Sequence, residues 1–174
     1  MKIALLFIAA AIPTFAQQKF DFKSLDKLGV NAKESTNIGL EGDTLKLATS
    51  FLGDDQSAFR SLTGVYVRSF EYAKAGQYKD ADLEPVRAYI RSLQWSKIVD
   101  VKESSEKTEI YLQALPNNRL GGLAIVSAEE KEVTVVFISG NMDMADLGKL
   151  RGNLGLPDVT ITHGGKKTED QKKD

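Results

Sequence analysis

The chain has 174 residues, with 23 Lys and Arg against 24 Asp and Glu, one histidine and no cysteine. Charges this evenly balanced argue against nucleic acid or an anionic membrane surface as an electrostatic partner. Without cysteine there is no disulfide and no thiol nucleophile, and a single histidine cannot complete an ordinary zinc site, so we expect neither metal nor cofactor.

The first sixteen residues, MKIALLFIAAAIPTFA, have the pattern of a secretory signal peptide. Lys2 supplies the positive charge, residues 3–12 form the apolar run, and Pro13 precedes a small-residue site that predicts cleavage between Ala16 and Gln17. The run is about half as long as the roughly 20 residues that a membrane-crossing helix needs. No cysteine is present to carry the lipid of a bacterial lipoprotein. We therefore expect a periplasmic or secreted chain with no stable membrane anchor.

The mature chain begins with short elements. The segment FKSLDKLG predicts a helix, because Leu25 and Leu28 lie three apart and Gly29 is suited to the left-handed position after the last turn. The segment ESTNIGLEG that follows predicts a weak strand.

Two further helices are predicted before residue 65. Asp43 is placed to cap the first, which runs to about residue 52 with an apolar stripe at helical spacing. The second follows Asp55, turns Phe59 and Leu62 inward and ends at Gly64.

From residue 65 the apolar period changes to two, which predicts a strand in VYVRSFEY. Its alternation places one set of side chains on one face and a second set on the other: Val65, Val67 and Ser69, against Tyr66, Arg68, Phe70 and Tyr72.

The segment DLEPVRAYIRSL predicts a helix with Asp82 as its N-terminal cap and a proline in the first turn, where proline is tolerated. Arg87 and Arg91, four residues apart, are predicted to face outward. The opposite side forms the buried stripe, which consists of Leu83, Val86, Ile90 and Leu93.

Four strand patterns then follow in quick succession: SKIVDVKE, TEIYLQAL, LGGLAIVSA and EVTVVFISG. Their connections are too short for a crossover helix and predict an antiparallel meander. The last two patterns are apolar at both alternating sets of positions, which is typical of strands covered on both faces at the centre of a sheet.

Gly121 and Gly122 open the third of these strands. A phosphate-binding loop places its glycines between a strand and a helix N-terminus. Here a turn leads straight into a strand, so the pair is predicted to mark a bulge or a close approach of another group to the backbone.

The chain ends with one more predicted helix, with Asp143 as its cap, and a charged tail over residues 159–174 that is predicted to be disordered. We therefore predict a signal peptide over residues 1–16 and one α+β domain over residues 17–158. In this domain an antiparallel sheet of about five strands, in the order strand, helix and four-strand meander, is covered by helices from both ends of the chain.

No residue is predicted to be catalytic. The one histidine, His163, lies in the predicted tail, where it cannot be held as a general base. Two groups of acids are near one another, but a helix N-terminus explains the first and solvated strand faces explain the second: Asp80, Asp82 and Glu84, and Asp100, Glu103 and Glu109.

Aromatic and arginine side chains are the better candidates for recognition, since Tyr, Trp and Arg are enriched in interface hot spots. Trp95 is assigned to the core because of the large area an indole buries. Arg68 either joins the recognition surface or pairs with a cross-strand acid such as Asp100 or a neighbour of Glu71. The predicted partner-binding residues are Tyr66, Arg68, Tyr72, Arg87 and Arg91.

Over roughly residues 20–158 the chain resembles an uncharacterised bacterial envelope family, the domain of unknown function 4252. The most specific segments are YVRSFE from residue 66, WSKIV from residue 95, and the glycine-pair strand with the acidic turn and apolar strand after it. The resemblance implies a small exported domain and carries over no activity, cofactor or catalytic residue.

These observations favour an exported, non-enzymatic domain that binds a protein partner in the bacterial envelope. The alternative is a periplasmic carrier of a small ligand or lipid, with a pocket between helices and sheet. A hydrolase that uses carboxylates alone is the third hypothesis.

Overall fold

The computed structural model describes residues 20, 22–50 and 59–143. These form a six-stranded antiparallel sheet in the order β1-β2-β6-β5-β4-β3. The strands are β1 (Glu34–Glu41), β2 (Leu62–Glu71), β3 (Ser96–Glu103), β4 (Glu106–Leu115), β5 (Arg119–Ala128) and β6 (Glu132–Asp143). The predicted α+β class is confirmed, with six strands instead of about five, because the weak strand pattern forms a full edge strand, β1, along β2.

The last four strands form the predicted meander. β3, β4, β5 and β6 pair with one another in chain order, and the second side of β6 pairs with β2. β5 and β6 therefore lie inside the sheet, as their apolar sequences predicted. Both faces of these two strands are buried, with Leu123, Ile125, Val136 and Ile138 on one and Ala124, Val126, Val135 and Phe137 on the other.

The described helices are α1 (Asp26–Gly29), α2 (Gly42–Ser50) and α3 (Glu84–Ser92), and 3₁₀ turns precede α1 and α3. None is long and apolar enough to cross a membrane. α2 adds Leu45 to the apolar cluster on one face of the sheet. The other face, called here the helix-covered face, packs against α1, α3 and their 3₁₀ turns through Leu25, Leu28, Leu83, Val86 and Ile90.

Several local predictions are corrected. Leu62 and Gly64 belong to β2 instead of a helix, because β2 continues its pairing with β6 through this segment. Gly29 lies inside α1, and it is not among the residues with positive φ. Asp43 lies in the first turn of α2, one residue after its start. Asp82 belongs to a 3₁₀ turn and accepts the backbone N–H of Lys79, so it does not cap α3.

Four predictions fall outside the described residues. They are the signal peptide with its cleavage site at Ala16 and Gln17, most of the helix after Asp55, the helix after Asp143, and the tail that contains His163.

The prediction for the glycine pair is confirmed. In the pairing of β5 with β4 the register shifts at Gly121, which is the extra residue of a bulge on β5. The indole of Trp95 presses on the backbone there, since an ideal Cβ on Gly122 would lie 2.6 Å from Cη2 of Trp95. The pair is a packing feature that seats Trp95 on the sheet.

Candidate functional site

Two of the five predicted partner-binding residues belong to the core. Tyr66 is 8% exposed and donates a hydrogen bond to Oε2 of Glu41 at 2.7 Å. Tyr72 is 2% exposed, donates to the carbonyl of Leu28 at 2.9 Å and stacks on Tyr78. Both hydroxyl groups are used inside the fold, so neither side chain is presented to a partner.

Arg68 is half-buried on the helix-covered face. Its guanidinium lies 5.2 Å from the ring centroid of Phe22, and its buried Nε has no hydrogen-bond partner among the described residues. The predicted pairing with Asp100 or a neighbour of Glu71 is wrong. Asp100 is on β3, which three intervening strands separate from β2, and it pairs with Lys97 instead.

Arg87 and Arg91 differ in a way that the sequence did not predict. Arg91 is exposed on α3 and pairs with the exposed Glu84. Arg87 is 6% exposed, which overturns its predicted outward orientation. The reason is geometric, because position 87 shares the inward stripe of α3 with Val86 and Ile90. An acid on the sheet, Glu109, makes burial of the guanidinium tolerable.

Glu109 lies at the centre of a buried ionic network. It is 1% exposed, and its Oε2 accepts from Nε of Arg87 at 2.6 Å. Its Oε1 lies 3.3 Å from Nζ of Lys97 and 3.2 Å from Nζ of Lys107. The predicted solvated position of Glu109 is therefore wrong. One buried carboxylate holds together α3, β3 and β4.

Asp80 extends this network to the 3₁₀ turn before α3. Its Oδ1 lies 2.6 Å from Nη2 of Arg87, and its Oδ2 accepts from Nη1 at 3.0 Å. The arginine is therefore held by two carboxylates on different elements. Such a bidentate pair fixes orientation as well as charge.

The network keeps both acids ionised. The hydrogen bond from Arg87 is the main cause that lowers the pKa of the Asp80 carboxyl. Burial alone would raise the pKa of the Glu109 carboxyl, but the hydrogen bond and charge of Arg87, together with Lys107, outweigh it and lower that pKa. Neither acid is suited to donate a proton near neutral pH.

A cleft of about 480 Å³ opens above this network, between α3 and the β3–β4 edge of the sheet. Trp95 forms part of its wall and is 5% exposed, so its predicted place in the core is confirmed. Its Nε1 is buried without a hydrogen-bond partner among the described residues. The charged and phenolic side chains that line this cleft are Asp80, Glu84, Arg87, Arg91, Lys97, Lys107, Glu109 and Tyr111.

A second depression of about 460 Å³ adjoins the cleft. The two share Asp80 and Lys107 in their linings and are together called the groove here. Its far part is lined by turn residues such as Gly76, Ser104 and Glu130.

The described residues offer little support for hydrolysis or metal binding. A glycosidase-type mechanism needs a general acid with a raised pKa, whereas Asp80 and Glu109 have lowered ones. Within the described ranges no three His, Cys, Asp or Glu side chains are grouped to hold a metal ion. The groove is lined mainly by charged and hydrogen-bonding side chains.

A family model described as a domain of unknown function (DUF4252) matches residues 26–150. The matched range includes all six strands and α3, and with them every residue that lines the cleft. No curated protein and no solved structure matches the chain significantly.

Proposed function

The chain belongs to the family of the domain of unknown function DUF4252, and from that premise we propose that it is an exported, non-enzymatic domain that binds a protein partner in the bacterial envelope. The contact surface that we assign to the partner is the groove between α3 and the β3–β4 edge. Of the five residues expected to bind a partner, Arg91 is exposed at this groove and Arg87 forms its floor.

The observation that carries the proposal is the position of this groove beside an open sheet edge. β3 is the last strand of the sheet, so its outer backbone groups face no strand among the described residues. Ile98 and Val101 on this strand are 46% and 43% exposed. An extended segment of a partner can pair with such an edge while its side chains enter a neighbouring groove.

The edge is also partly protected, which limits what it pairs with. The register of β3 shifts between Lys97 and Val99, and half of the eight residues of the strand are charged. A bulge and charges are the usual means by which an edge avoids indiscriminate pairing. A partner must therefore match the charges of the groove as well as the strand.

Site-specific photo-crosslinking in the native envelope tests the proposal. A photoreactive residue at position 91 or 102, both at the groove, is expected to yield the same specific protein adduct. The control position is 47, an exposed leucine on α2, a helix that contacts β1 and β2 at the other edge of the sheet. Adducts of equal yield at all three positions would contradict the proposal.

A carrier of a small polar ligand is the second candidate. The cleft volume of about 480 Å³ lies within the range of small-molecule sites. Its ionic lining suits a polar ligand and not a lipid. Native mass spectrometry of the purified protein separates the two functions, because a carrier retains a bound small molecule.

A further inference from the structure

We propose that the strand that pairs with the β3 edge is β3 of a second copy of the chain, so that two sheets join antiparallel in a dimer. This inference rests on the proposed function, since it names the protein that occupies the same sheet edge. It is drawn from the charges of β3, from the register that satisfies them and from the exposed apolar residues of the strand.

The pairing of β3 with β4 places like charges opposite each other. Lys102 is directly opposite Lys107, and Asp100 is directly opposite Glu109. Like charges in such positions destabilise a sheet unless other groups compensate them. Three of the four have an oppositely charged partner in their own chain, because Lys107 contacts Glu109 and Asp100 contacts Lys97. Lys102 is exposed and has no ion pair among the described residues.

A strand added to β3 can supply the missing acid. Residues directly opposite each other in paired strands project from the same face, so the added strand needs an acid opposite Lys102. Two positions further on, opposite Asp100, it needs a basic or neutral residue, since a second acid would repel the first. β3 itself meets both conditions, because its antiparallel copy places Asp100 opposite Lys102 and Lys102 opposite Asp100.

One register of two β3 strands meets these conditions. Each face of the joined sheet stays continuous only if the two-fold axis passes beside a residue instead of between two residues. An axis at a charged residue would place that charge opposite its own copy, which excludes Asp100, Lys102 and Glu103. An axis nearer the start of the strand would include its bulge in the paired segment. The axis therefore lies at Val101, and pairing extends two residues to each side of it.

Asp100 can accept this second cation. Its Oδ2 contacts Lys97, and the side chains of Asp100 and Lys97 are 45% and 39% exposed. An ion pair with this exposure contributes little to stability, so its rearrangement costs little. Lys97 also lies 3.3 Å from Oε1 of Glu109, and it keeps this buried acid when Asp100 turns towards Lys102 of the second copy.

The other face of β3 gains apolar contact in the dimer. Val99 lies opposite Ile110, which belongs to the apolar cluster that includes α2, so Val99 and Val101 project from the face away from α3. Val101 is 43% exposed and the neighbouring Ile98 is 46% exposed. In the proposed register the two copies of Val101 meet at the axis, which removes apolar surface from water. Because both copies contribute the same surface, the assembly closes at two chains.

A single introduced cysteine tests the register directly, since the chain has no cysteine of its own. We expect Val101→Cys to form a covalent dimer with a short bismaleimide reagent, because position 101 meets its own copy at the axis. The matched control is Ile38→Cys on the other edge strand, β1, at a position that is also 43% exposed. Equal yields from the two variants, or no covalent dimer from Val101→Cys, would overturn the proposal.

Charge reversal tests the pairing of Lys102 with Asp100. Lys102→Asp places two acids opposite each other and is expected to weaken the dimer about tenfold in analytical ultracentrifugation of the mature protein. Asp100→Lys/Lys102→Asp restores opposite charges and should regain most of the affinity. The control Lys46→Asp changes an exposed cation on the distant α2 and should leave dimerisation unchanged. The proposal fails if the wild-type chain stays monomeric up to millimolar concentration, or if the double variant is weakened as much as Lys102→Asp.

The photo-crosslinking in the envelope separates this inference from the proposed function. An adduct at position 102 with twice the mass of the chain supports the self-pairing of β3. An adduct with a different protein leaves the partner function in place and overturns the self-pairing. If the purified chain dimerises but no adduct forms in the envelope at position 91 or 102, the pairing of β3 stands and the envelope partner function is wrong.

Discussion

The position of the Trp95 indole requires a residue without a side chain at position 122. An ideal Cβ at this position would lie 2.6 Å from Cη2 and 2.7 Å from Cζ2 of Trp95, and 3.0 Å from the carbonyl oxygen of Ile138. A side chain here would have to displace the indole or the backbone of β6. The wall of the cleft therefore depends on a glycine in a different strand.

Gly122→Val is expected to destabilise the protein by about 1–3 kcal/mol, the usual cost of overpacking a core. The matched control is Gly39→Val on the edge strand β1, where the nearest atom to an added Cβ is 3.5 Å away. That change should stay within about 0.5 kcal/mol, as is usual for surface sites. Urea unfolding followed by circular dichroism measures both, and equal losses would contradict the explanation.

For single residues, the sequence predicts the packing of glycine and aromatic residues better than the burial of charged side chains. The packing of Gly122 and Trp95 is predictable from the sequence. A glycine pair at the start of a strand usually marks a bulge or a close approach to the backbone, and an indole usually packs in the core. Arg87 and Glu109 were assigned to solvent because they are charged. The signal that points to burial is weak, namely an arginine on the inward stripe of a helix and an acid inside an apolar strand. Burial of either side chain could be predicted only if its ionic partner in the folded structure were known.

At the level of elements, the buried ions tie α3 to the sheet. Arg87 comes from α3, Glu109 from β4 and Lys97 from β3. The carboxylate has two lysines besides the arginine, whereas the guanidinium has Asp80 as its second acid. Loss of the arginine therefore leaves Glu109 with two lysine partners, whereas loss of the carboxylate leaves Arg87 with Asp80 alone.

Glu109→Gln is expected to cost about 3–5 kcal/mol, as removal of one member of a buried ionic group usually does. Arg87→Met should cost less, because Lys97 and Lys107 still compensate Glu109. The double variant should be more stable than the sum of the two losses predicts, by roughly 0.5–3 kcal/mol. Denaturant unfolding monitored by the fluorescence of Trp95 measures all three. Strict additivity would show that the two side chains act independently.

The elements themselves were mostly predictable, but one strand pairing was not. The spacing of the apolar residues predicts α3. The short turns predict the meander, since they let consecutive strands pair only in antiparallel hairpins. The pairing of β6 with β2 connects positions such as Tyr66 and Phe137. No local pattern encodes a contact between residues so far apart in sequence. The length of β1 was also unclear, because an exposed strand has little apolar alternation.

For the molecule as a whole, the buried tyrosines set an upper pH limit to stability. Burial is the main cause that raises the pKa of Tyr66 and Tyr72 from 10.0 to about 12, with Glu41 contributing for Tyr66 and Tyr78 for Tyr72. The fold therefore favours the neutral phenol. Their contribution to stability is fully present below pH 10 and is lost as the pH rises towards about 12.

Chemical denaturation at intervals between pH 9 and pH 12 is expected to show a falling free energy of unfolding, by up to roughly 2–3 kcal/mol per tyrosine. The variant Tyr66→Phe/Tyr72→Phe has no phenol at these positions, so its decline should be shallower. An unchanged slope in that variant would assign the alkaline loss to other groups.

The strand order also fixes when the sheet can assemble. β6 is the last of the described strands in chain order, and it joins the β1–β2 pair to the β3–β5 part of the meander. Contacts between distant residues form late and slow the folding of β-rich proteins. A chain that emerges from the ribosome N-terminus first has two unconnected sheet fragments until residue 143 is available. The six strands can therefore form one sheet only after residue 143 has been synthesised, so the β1–β2 pair and the β3–β5 strands each have an unpaired edge until then.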